Sequence, residues 1–375
     1  RLMIELIIAI GIFSAVTYIL ILVYLLIGII RTKTELTAER PLVSIIVSAH
    51  NESQNIAVCL DSILHQDYPE NKLELIIVND RSEDDTGMIL ERYKKNYSHI
   101  HIINIIECQK GISPKKNALT HGIGVAKGEI IAITDADCTP PEQWVKKMVS
   151  CFTPEVGIVV GIASLKPNYW WLSPLICIDA LMAGLAAYGS IGWSHPVAAT
   201  GRNIAYRKIT FNEVNGFSGL MHILSGDDIL LVQKIYRETN WKIRFQPDQA
   251  SIVPSFTPGG WAQFFAQRKR HIFTSKYFPL SIQIGFSLLF LSKLITLLVL
   301  IIVLLTFKVT FLPITIFISS YLLTFILFYL MSSKTMQSNL LIFYPFWELY
   351  YLLNHIIIGP LGLLGKVKWG TRQTT

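Results

Sequence analysis

Charged residues are scarce in this chain. Asp, Glu, Lys and Arg make up 16% of its 375 residues, whereas hydrophobic residues make up 51%, and the mean hydropathy is +0.45. So few charges exclude an ordinary soluble protein and indicate that part of the chain lies in a membrane. The basic residues behind the net charge of +7 cluster beside the apolar segments, so we expect membrane lipids rather than nucleic acid as their partner.

The chain also lacks cysteine pairs. Its five cysteines show neither a C-x-x-C pair nor a metal-binding spacing. An odd, scattered set is typical of free thiols in a reducing compartment. No Ser-His-Asp or Cys-His arrangement is evident, so the sequence offers no candidate for a nucleophilic enzyme side chain.

Long runs without charge lie near both ends. Residues 6–30 form one such run, and a helix of that length spans roughly 37 Å, enough to cross a bilayer. We interpret 1–31 as an uncleaved N-terminal transmembrane anchor. The alternative is a cleaved signal peptide, but its apolar core would be shorter, and no A-x-A-like site precedes Arg31.

Residues 280–364 are predicted to form about three further transmembrane helices. The runs 280–307 and 309–333 carry one charge between them, Lys293. The third run, 340–364, is apolar but contains two ionisable residues and a proline near its start. The alternative for this third run is an interfacial or re-entrant segment.

Basic residues set the expected orientation. They follow the first span and precede the second, at 267–271, which places the middle of the chain in the cytoplasm. Three later crossings would then leave the basic tail, 365–375, on the outer side, against the same rule. The sequence alone does not resolve this conflict between the number of crossings and the position of the tail. We expect a multi-pass protein of a bacterial plasma membrane.

One more apolar stretch, 170–193, is long enough to span a membrane. A span here would move the downstream part of the middle region across the bilayer. We therefore interpret it as a helix that lies at the membrane surface or packs against the middle domain. Trp170, Trp171 and Trp193 fit an interfacial aromatic belt better than a stacking platform for a ligand.

The middle of the chain, 41–255, is predicted to be one α/β domain. Short apolar runs rich in β-branched residues are typical of buried strands. They are 43–49, 73–80, 99–106, 129–137 and 157–165. Helix-like stretches such as 52–65 and 114–126 lie between them. This alternation predicts a mostly parallel sheet with helices on both faces.

The run 129–137 ends in two carboxylates, Asp135 and Asp137. Residues two apart in a strand point the same way, and open α/β sheets bind ligands at this edge, so both are predicted to face one pocket. Two close carboxylates resist joint ionisation unless a cation lies nearby. Mg²⁺ or Mn²⁺ accepts such oxygen ligands and can hold a diphosphate. The alternative is a solvated loop after the strand.

Further polar segments are predicted at or near the same edge, because they follow other strands or begin helices. They are 48–56, 78–87, Lys115 and Lys116 in 113–119, Asp227 and Asp228 in 224–231, and the basic run 267–271.

In this order the segments resemble the motifs of membrane-embedded family 2 glycosyltransferases, which have the GT-A fold. SAHNE corresponds to the family's P-x-Y-N-E, NDRSED to D-D-x-S-x-D, KKNAL to K-x-x-A-L, DAD to D-x-D, and the pair DD to E/D-D. TGRNIAYRK and NEVNGF resemble G-x-N-x-A-x-R and G-G-F, and QRKRH resembles Q-x-x-R-W. The departure is His271 in place of the tryptophan, which weakens the expectation of a long polymer.

The resemblance implies a Rossmann-like GT-A domain of the hexosyltransferase type. It would move a sugar, first of all a UDP-linked one, from a nucleotide-sugar donor to an acceptor hydroxyl with inversion. Asp228 aligns with the family's general base and Asp227 is its neighbour. Asp137 would hold Mg²⁺ or Mn²⁺, and Arg270 would neutralise the leaving diphosphate. The implied donor-binding residues are Ala49, Asn51, Glu52, Asp80, Asp84, Lys115, Asp135 and Gln267.

The acceptor is predicted to be a membrane lipid or a short glycan at the cytoplasmic face. Few crossings and His271 favour this over a processive polysaccharide synthase. The aromatic and basic segment 256–279 suits the membrane surface near such an acceptor. Two other classes are alternatives: an inactive membrane scaffold, and a transporter, whose spans should carry paired charges or repeats rather than the isolated Lys293, Glu348 and His355.

Each candidate residue also has a purely structural interpretation. Asp80 would form a strand-end turn, and Asp227 or Asp228 would cap a helix. Lys115 would be a solvated lysine at a helix start. Arg270 lies in a basic run that would bind lipid headgroups.

Overall fold

The computed structural model describes residues 2–32, 35–306, 311–365, 368–369 and 372–373. Its helices are α1 Leu2–Arg31, α2 Ile56–Leu64, α3 Thr86–Asn96, α4 Pro114–Val125, α5 Trp144–Ser150, α6 Ser173–Gly192, α7 Lys208–Glu213, α8 Ile229–Glu238, α9 Trp261–Thr274, α10 Leu280–Leu305, α11 Phe311–Lys334 and α12 Tyr344–Leu364. Its strands are β1 Val43–Ala49, β2 Leu73–Asp80, β3 Ile100–Ile105, β4 Ile130–Asp135, β5 Val156–Gly161, β6 Ala163–Lys166, β7 Ile204–Arg207, β8 Lys242–Gln246, β9 Val253–Phe256, β10 Lys368–Trp369 and β11 Arg372–Gln373. Short 3₁₀ helices lie at Glu70–Lys72, Gln249–Ser251, Ser275–Tyr277 and Ser338–Phe343.

Seven strands form the central sheet, in the order β3-β2-β1-β4-β7-β5-β8. Neighbours run parallel except at β7, which is antiparallel to both β4 and β5. The register pairs Ala49 with Asn79 and Ser48 with Asp135, so β1, β2 and β4 end side by side. The predicted α/β fold with a mostly parallel sheet is confirmed.

The predicted strand 157–165 is wrong as a single strand, because β5 and β6 belong to different sheets. The backbone leaves the central sheet at Ile162. Its carbonyl oxygen accepts hydrogen bonds from Nδ2 of Asn203 at 2.7 Å and from the N–H of Val253 at 3.0 Å. β6 then pairs with β9, the strand that carries Ser255.

Strand β7 was not among the predicted strands. It is four residues long, and 204–206 are all buried, so it lacks the alternation that would reveal a strand. Because β7 is antiparallel to β4, its first residue lies near the end of β4. Gly201, which precedes β7, therefore lies at the edge of the sheet where β4 ends with Asp135.

Both faces of the sheet are covered, as expected for a largely parallel sheet. On one face Ile45 and Ile77 pack with side chains of α2 and α5. On the other face Ile46 and Ile76 belong to a hydrophobic cluster that also includes residues of α1, α6, α11 and α12. The core of the α/β domain is therefore continuous with the long apolar helices.

Within the described part of the chain, five segments are long and apolar enough to cross a membrane by length and composition. They are Glu5–Arg31, Ser173–Gly192, Leu280–Leu305, Phe311–Lys334 and Ser338–Leu364. The first and the last three fit the expected N-terminal and C-terminal transmembrane helices. Most of α6 is buried, and it packs against α1, α11, α12 and β8, which fits the expectation of a helix packed against the domain.

Helices α1 and α6 meet backbone to backbone. A Cβ atom placed on Gly28 would lie 1.8 Å from the carbonyl oxygen of Gly189, and one on Gly192 would lie 1.8 Å from that of Gly28. Trp193, just after α6, stacks on Tyr24, and its Nε1 donates to the Tyr24 carbonyl oxygen at 2.9 Å. Glycine at these positions is what permits the close approach.

An ion pair lies among the long apolar helices. Nζ of Lys293 in α10 is 2.6 Å from Oε2 of Glu348 in α12 and 3.1 Å from the hydroxyl of Tyr18 in α1. That hydroxyl lies 3.1 Å from Oγ1 of Thr324 in α11. The interpretation of Lys293 and Glu348 as isolated charges is therefore wrong, because packing joins helices that are distant in sequence.

The last apolar segment lies near the α/β domain at its start and near α9 at its end. Before it, Nε2 of Gln337 donates to the carbonyl oxygen of Leu165 in β6 at 2.7 Å. At its far end, a Cβ atom on Gly362 would lie 2.7 Å from Cβ of Ile272 in α9. The basic tail, 365–375, lies largely outside the described residues, and the predicted domain boundaries stay predictions.

Candidate active site

The loops that follow β1 and β2 are joined by hydrogen bonds. Asn51 has a left-handed backbone with φ of 57°, and its Oδ1 accepts from the N–H of Glu83 at 2.8 Å. Asp84 accepts from the N–H of Ser53 at 3.0 Å and from the hydroxyl of Thr86 at 2.5 Å. Burial would raise the pKa of Asp84, but these hydrogen bonds outweigh it and lower the pKa. Asn51 and Asp84, both predicted to bind the donor, thus fix the shape of the loops.

Asp80 ends β2 with a side chain that is only 7% exposed. Its Oδ1 accepts from Nε of Arg81 at 2.6 Å, and its carbonyl oxygen lies 2.7 Å from Nδ1 of His50. Ala49, also predicted to bind the donor, is buried at the end of β1. The ion pair with Arg81 covers the carboxylate of Asp80 and fits the interpretation of a strand-end turn.

Asp135 ends β4, Asp137 lies two residues further on, and the two have different partners. Oδ1 of Asp135 lies 2.7 Å from Nζ of Lys115, whereas Oδ2 of Asp137 accepts from the hydroxyl of Ser255 at 2.9 Å. Burial raises the pKa of Glu52, and the nearby Asp137 and Asp135 add to the rise. Three of the predicted carboxylates therefore lie close together at one edge of the sheet.

Lys115, near the start of α4, bridges two acidic elements. Its Nζ lies 2.7 Å from Asp135 and 3.1 Å from Oδ2 of Asp227. Burial opposes its charge, but the two carboxylates hold the pKa of Lys115 above its ordinary value. The side chain is 13% exposed, so the interpretation of a solvated lysine is wrong.

Asp228 is the N-cap of α8. Its Oδ1 accepts from the N–H of Ile229 at 2.6 Å, and its Oδ2 from the N–H of Gly201 at 2.7 Å. Burial and the neighbouring Asp227 raise the pKa of Asp228. Burial would also raise the pKa of Asp227, but Lys115 lowers it. The cap leaves lone pairs on both Asp228 oxygens, and two adjacent carboxyls with opposite pKa shifts suit a base and its ionised neighbour.

Lys116 lies in a predicted polar segment but has no predicted role in the site. It is fully buried, and its Nζ donates to the carbonyl oxygens of Ile223 at 2.6 Å and Ser225 at 2.8 Å. Burial lowers the pKa of Lys116 to about 8. These bonds fix the loop before the acidic pair. The available signal was that Lys116 shares a helix face with Leu119 and Ile123, an apolar face where a lysine is out of place.

Arg270 reaches the site from α9. Burial lowers the pKa of its guanidinium, while Asp227 and Asp135 act in the opposite direction, which places this cation within electrostatic reach of both carboxylates. Gln267 lies one turn earlier on the same helix face and is half-buried, whereas His271 is exposed. A position within electrostatic reach of two predicted site carboxylates fits the site role of Arg270 better than headgroup binding.

The residues present fit a hard divalent cation held by few protein ligands. No group of three or more His, Cys, Asp or Glu side chains among the described residues is arranged to hold a metal ion. Asp137 nevertheless offers carboxylate oxygens beside Glu52 and Asp135, and the negative charges of the two aspartates add to the rise that burial causes in the pKa of Glu52. Mg²⁺ commonly binds through one or two carboxylates together with substrate phosphates, which matches this donor set.

Comparisons with known proteins point to one family of enzymes. The family model "Glycosyl transferase family 2" matches residues 44–209, and the model "Glycosyl transferase family group 2" matches residues 130–356. The second match covers more than half of the chain.

Two curated relatives carry more specific names. The Beta-monoglucosyldiacylglycerol synthase of Trichormus variabilis is 32% identical over 140 residues, which cover 36% of this chain and 30% of the relative. The Poly-beta-1,6-N-acetyl-D-glucosamine synthase of Staphylococcus epidermidis is 26% identical over 230 residues, which cover 59% and 52%. The chain thus spans about half of the second relative's length and less of the first.

A solved structure shares the fold. The mannosyltransferase PcManGT from Pyrobaculum calidifontis, in complex with GDP-Man and Mn²⁺, superposes with a TM-score of 0.60 at 20% identity, covering 92% of this chain and 99% of that one. This likeness agrees with the GT-A fold expected from the motifs. With the family match over most of the α/β domain and the apolar helices, the chain belongs to the family 2 glycosyltransferases.

Proposed function

We propose that the chain transfers a sugar, with inversion, from a nucleotide-sugar donor to a hydroxyl of a membrane lipid or short glycan at the cytoplasmic face. The arrangement of Asp228, Asp227 and Arg270 carries this proposal. A carboxyl with a raised pKa and an ionised neighbour lie within reach of a half-buried guanidinium. Arg270 lies on α9, which packs on α12, one of the helices apolar enough to cross a membrane. A mere scaffold has no use for such a cluster.

Asp228 is the proposed general base. The acceptor oxygen attacks the anomeric carbon while the bond from that carbon to the diphosphate oxygen breaks, and the hydroxyl proton passes to the Asp228 carboxylate. A raised pKa brings the proton affinity of this carboxylate closer to that of the group it serves. Asp227 stays ionised beside Lys115 and disfavours loss of the captured proton. One direct attack inverts the anomeric centre, so no enzyme nucleophile is needed.

Arg270 is the proposed partner of the leaving group. The nucleoside diphosphate gains negative charge as it departs, and a guanidinium already held in a buried position stabilises that charge without reorganising. Arginine stays protonated despite the lowered pKa. A divalent cation at Asp137 would supply further neutralisation of the diphosphate.

The placement of α9 supports an acceptor at the membrane. This helix carries Arg270 and packs on α12, one of the long apolar helices, so an acceptor would approach along the membrane. The names of the two relatives mention a diacylglycerol lipid and a polysaccharide. His271, where the processive motif has tryptophan, supports a lipid or short glycan. A processive polysaccharide synthase is the second candidate.

The test is release of nucleoside diphosphate by the purified full chain in detergent. UDP- and GDP-sugars are assayed with Mn²⁺ or Mg²⁺ and a membrane lipid extract. We expect release from one donor, and a loss of about 10²–10⁴-fold in Asp228→Asn, because Asn can still cap α8, but its amide nitrogen accepts neither the acceptor's proton nor the hydrogen bond from Gly201. Asp137→Ala should also lose release. Glu91→Gln, a charge change at an exposed position of α3, is the control.

Two results would count against the proposal. A wild-type protein that releases no nucleoside diphosphate from any donor would contradict the proposed transferase activity. An Asp228→Asn variant with the wild-type rate would contradict the role of Asp228 as the general base. The mass of the product then separates the acceptors, because a single sugar on a lipid differs from a ladder of polymer chains.

A further inference from the structure

The arginine two residues before Arg270 has a different set of partners. Nη1 of Arg268 lies 2.6 Å from Oδ2 of Asp179 in α6, and Nη2 donates to the hydroxyl of Tyr350 in α12 at 3.1 Å. The second oxygen of Asp179 accepts from Nε1 of Trp347 at 3.3 Å. The Arg268 and Asp179 side chains are 18% and 10% exposed. A largely buried ion pair therefore joins α9 to two other helices.

Arg268 and Arg270 point to opposite sides of α9, because residues two apart in a helix are rotated by about 200°. Their electrostatic partners agree with this. Burial would lower the pKa of Arg268, but Asp179 and Tyr350 raise it, whereas Asp227 acts on Arg270. One arginine thus faces the supporting helices and the other faces the candidate active site.

Arg268 itself lies along a close contact between α9 and α12. A Cβ atom on Gly362 would lie 2.7 Å from Cβ of Ile272 and 3.2 Å from the carbonyl oxygen of Lys269. Toward the start of α9, the ring of Phe264 packs on that of Tyr350 with centroids 6.3 Å apart. Apolar contacts of this kind leave a helix some freedom to rotate, whereas a hydrogen-bonded ion pair within them fixes the rotation.

We propose that Arg268 and Asp179 are positioning residues for sugar transfer, which set the rotation of α9 so that Arg270 meets the leaving diphosphate. This role rests on the proposed function. A displacement of about 1 Å at a reacting group can cost about 10²-fold in rate, so a small rotation of α9 suffices. Arginine suits the role because its planar fork binds a carboxylate and a hydroxyl at once, which a lysine ammonium does less well.

The variant Asp179→Asn tests this role. We expect kcat to fall by about tenfold to a hundredfold with little change in the donor KM, because the Arg270 cation acts mainly as the leaving group gains charge. Arg268→Lys keeps the charge and should recover part of the rate lost in Arg268→Ala. Tyr350→Phe removes one hydroxyl and should show a smaller loss of the same kind, which keeps the test available if Asp179→Asn does not fold.

A double-mutant cycle separates positioning from general damage. Asp179→Asn is combined with Arg270→Ala, and residual rates are measured at high enzyme concentration. If Asp179 acts through Arg270, the double variant should be no slower than Arg270→Ala alone. Glu91→Gln, the charge change at an exposed position of α3, is the control and should keep the wild-type rate.

Two failures are distinguishable by the wild-type rate. Suppose the wild type is active. If Asp179→Asn lowers the rate equally in the wild-type and Arg270→Ala backgrounds, or does not lower it at all, the positioning role is overturned and sugar transfer is not. A wild type that releases no nucleoside diphosphate overturns the proposed function, and the positioning role with it.

Discussion

Lys115 lies 3.1 Å from Asp227, and this contact joins the start of α4 to the acidic pair before α8. The same Nζ atom is 2.7 Å from Asp135 at the end of β4. One cation thus neutralises carboxylates from two separate parts of the chain. It also lowers the pKa of Asp227, whose negative charge raises that of Asp228.

We expect Lys115→Gln to lower turnover by about 10²-fold. Lys115 also acts directly on Asp228 and lowers its pKa, so without the cation Asp228 binds its proton at higher pH and the acid limb of the pH–rate profile should move to higher pH. Turnover measured against pH tests both effects. Lys110→Gln, at an exposed position, should change neither, and an unaltered profile in Lys115→Gln would contradict the bridging role.

The pH dependence of wild type should follow from Asp228. A base acts when deprotonated, and the pKa of Asp228 is raised. We therefore expect kcat to rise with pH, and the midpoint of this rise to lie above the pKa of an ordinary aspartate. The effect on stability has the opposite sign. Between the ordinary and the raised pKa the folded state binds more protons than the unfolded state, so this group's contribution to stability is lost as pH rises. A limb at the ordinary aspartate value would argue against Asp228 as the base.

The ion pair between Lys293 and Glu348 should matter for stability. Glu348→Ala leaves the buried ammonium without its carboxylate, and we expect a loss of about 3–5 kcal/mol. The double variant Lys293→Met with Glu348→Met should recover most of that loss, because apolar side chains can replace a buried pair. Unfolding in mixed detergent micelles measures both. A double variant as unstable as the single one would contradict this explanation.

We expect the segment 338–364 to begin and end on the side of the α/β domain, because Gln337, just before it, contacts Leu165 and Gly362, near its end, packs on Ile272. Single cysteines at Phe311 and Leu364, which are 90% and 88% exposed, test this in sealed vesicles with a membrane-impermeant maleimide. The background carries Cys108→Ser, since the other four cysteines are buried.

The two positions should label from opposite sides of the membrane, and Cys108 of the wild type marks the side of the domain. Labelling of Leu364→Cys from the same side as Phe311→Cys would show that the segment crosses. A segment that returns would also remove the conflict over the basic tail, because the tail would then lie on the side that the positive charges favour.

Local patterns predicted the parts of the fold that local residues determine. The bounds of β1 and β2 match the predicted runs 43–49 and 73–80. Short continuous runs of β-branched residues that end in polar residues rarely form anything but buried strands. The acidic ends of strands pointed to the edge where Asp135, Asp137 and Glu52 now lie together. Register explains this success, since parallel neighbours end at the same edge.

Long-range contacts explain what the sequence could not reveal. Asp84 matches a donor-binding motif, yet its oxygens are taken by Ser53 and Thr86. The pairing of Lys293 with Glu348 depends on how two helices pack, and neither residue's neighbours in sequence indicate it. The role of Arg268 required the positions of α6 and α12. In each case the partner comes from an element that periodicity does not connect to the residue.

The contact of Gly28 with Gly189 and Gly192 has a consequence for modularity. Because α1 meets α6 backbone to backbone and α6 shares a core with the sheet, the first helix is not an interchangeable tether. A generic apolar segment with a side chain at position 28 would push the two helices apart. Excising 41–255 would leave the apolar surface of α6 facing water. The catalytic unit of this enzyme is thus defined by a shared core rather than by the boundary of the bilayer.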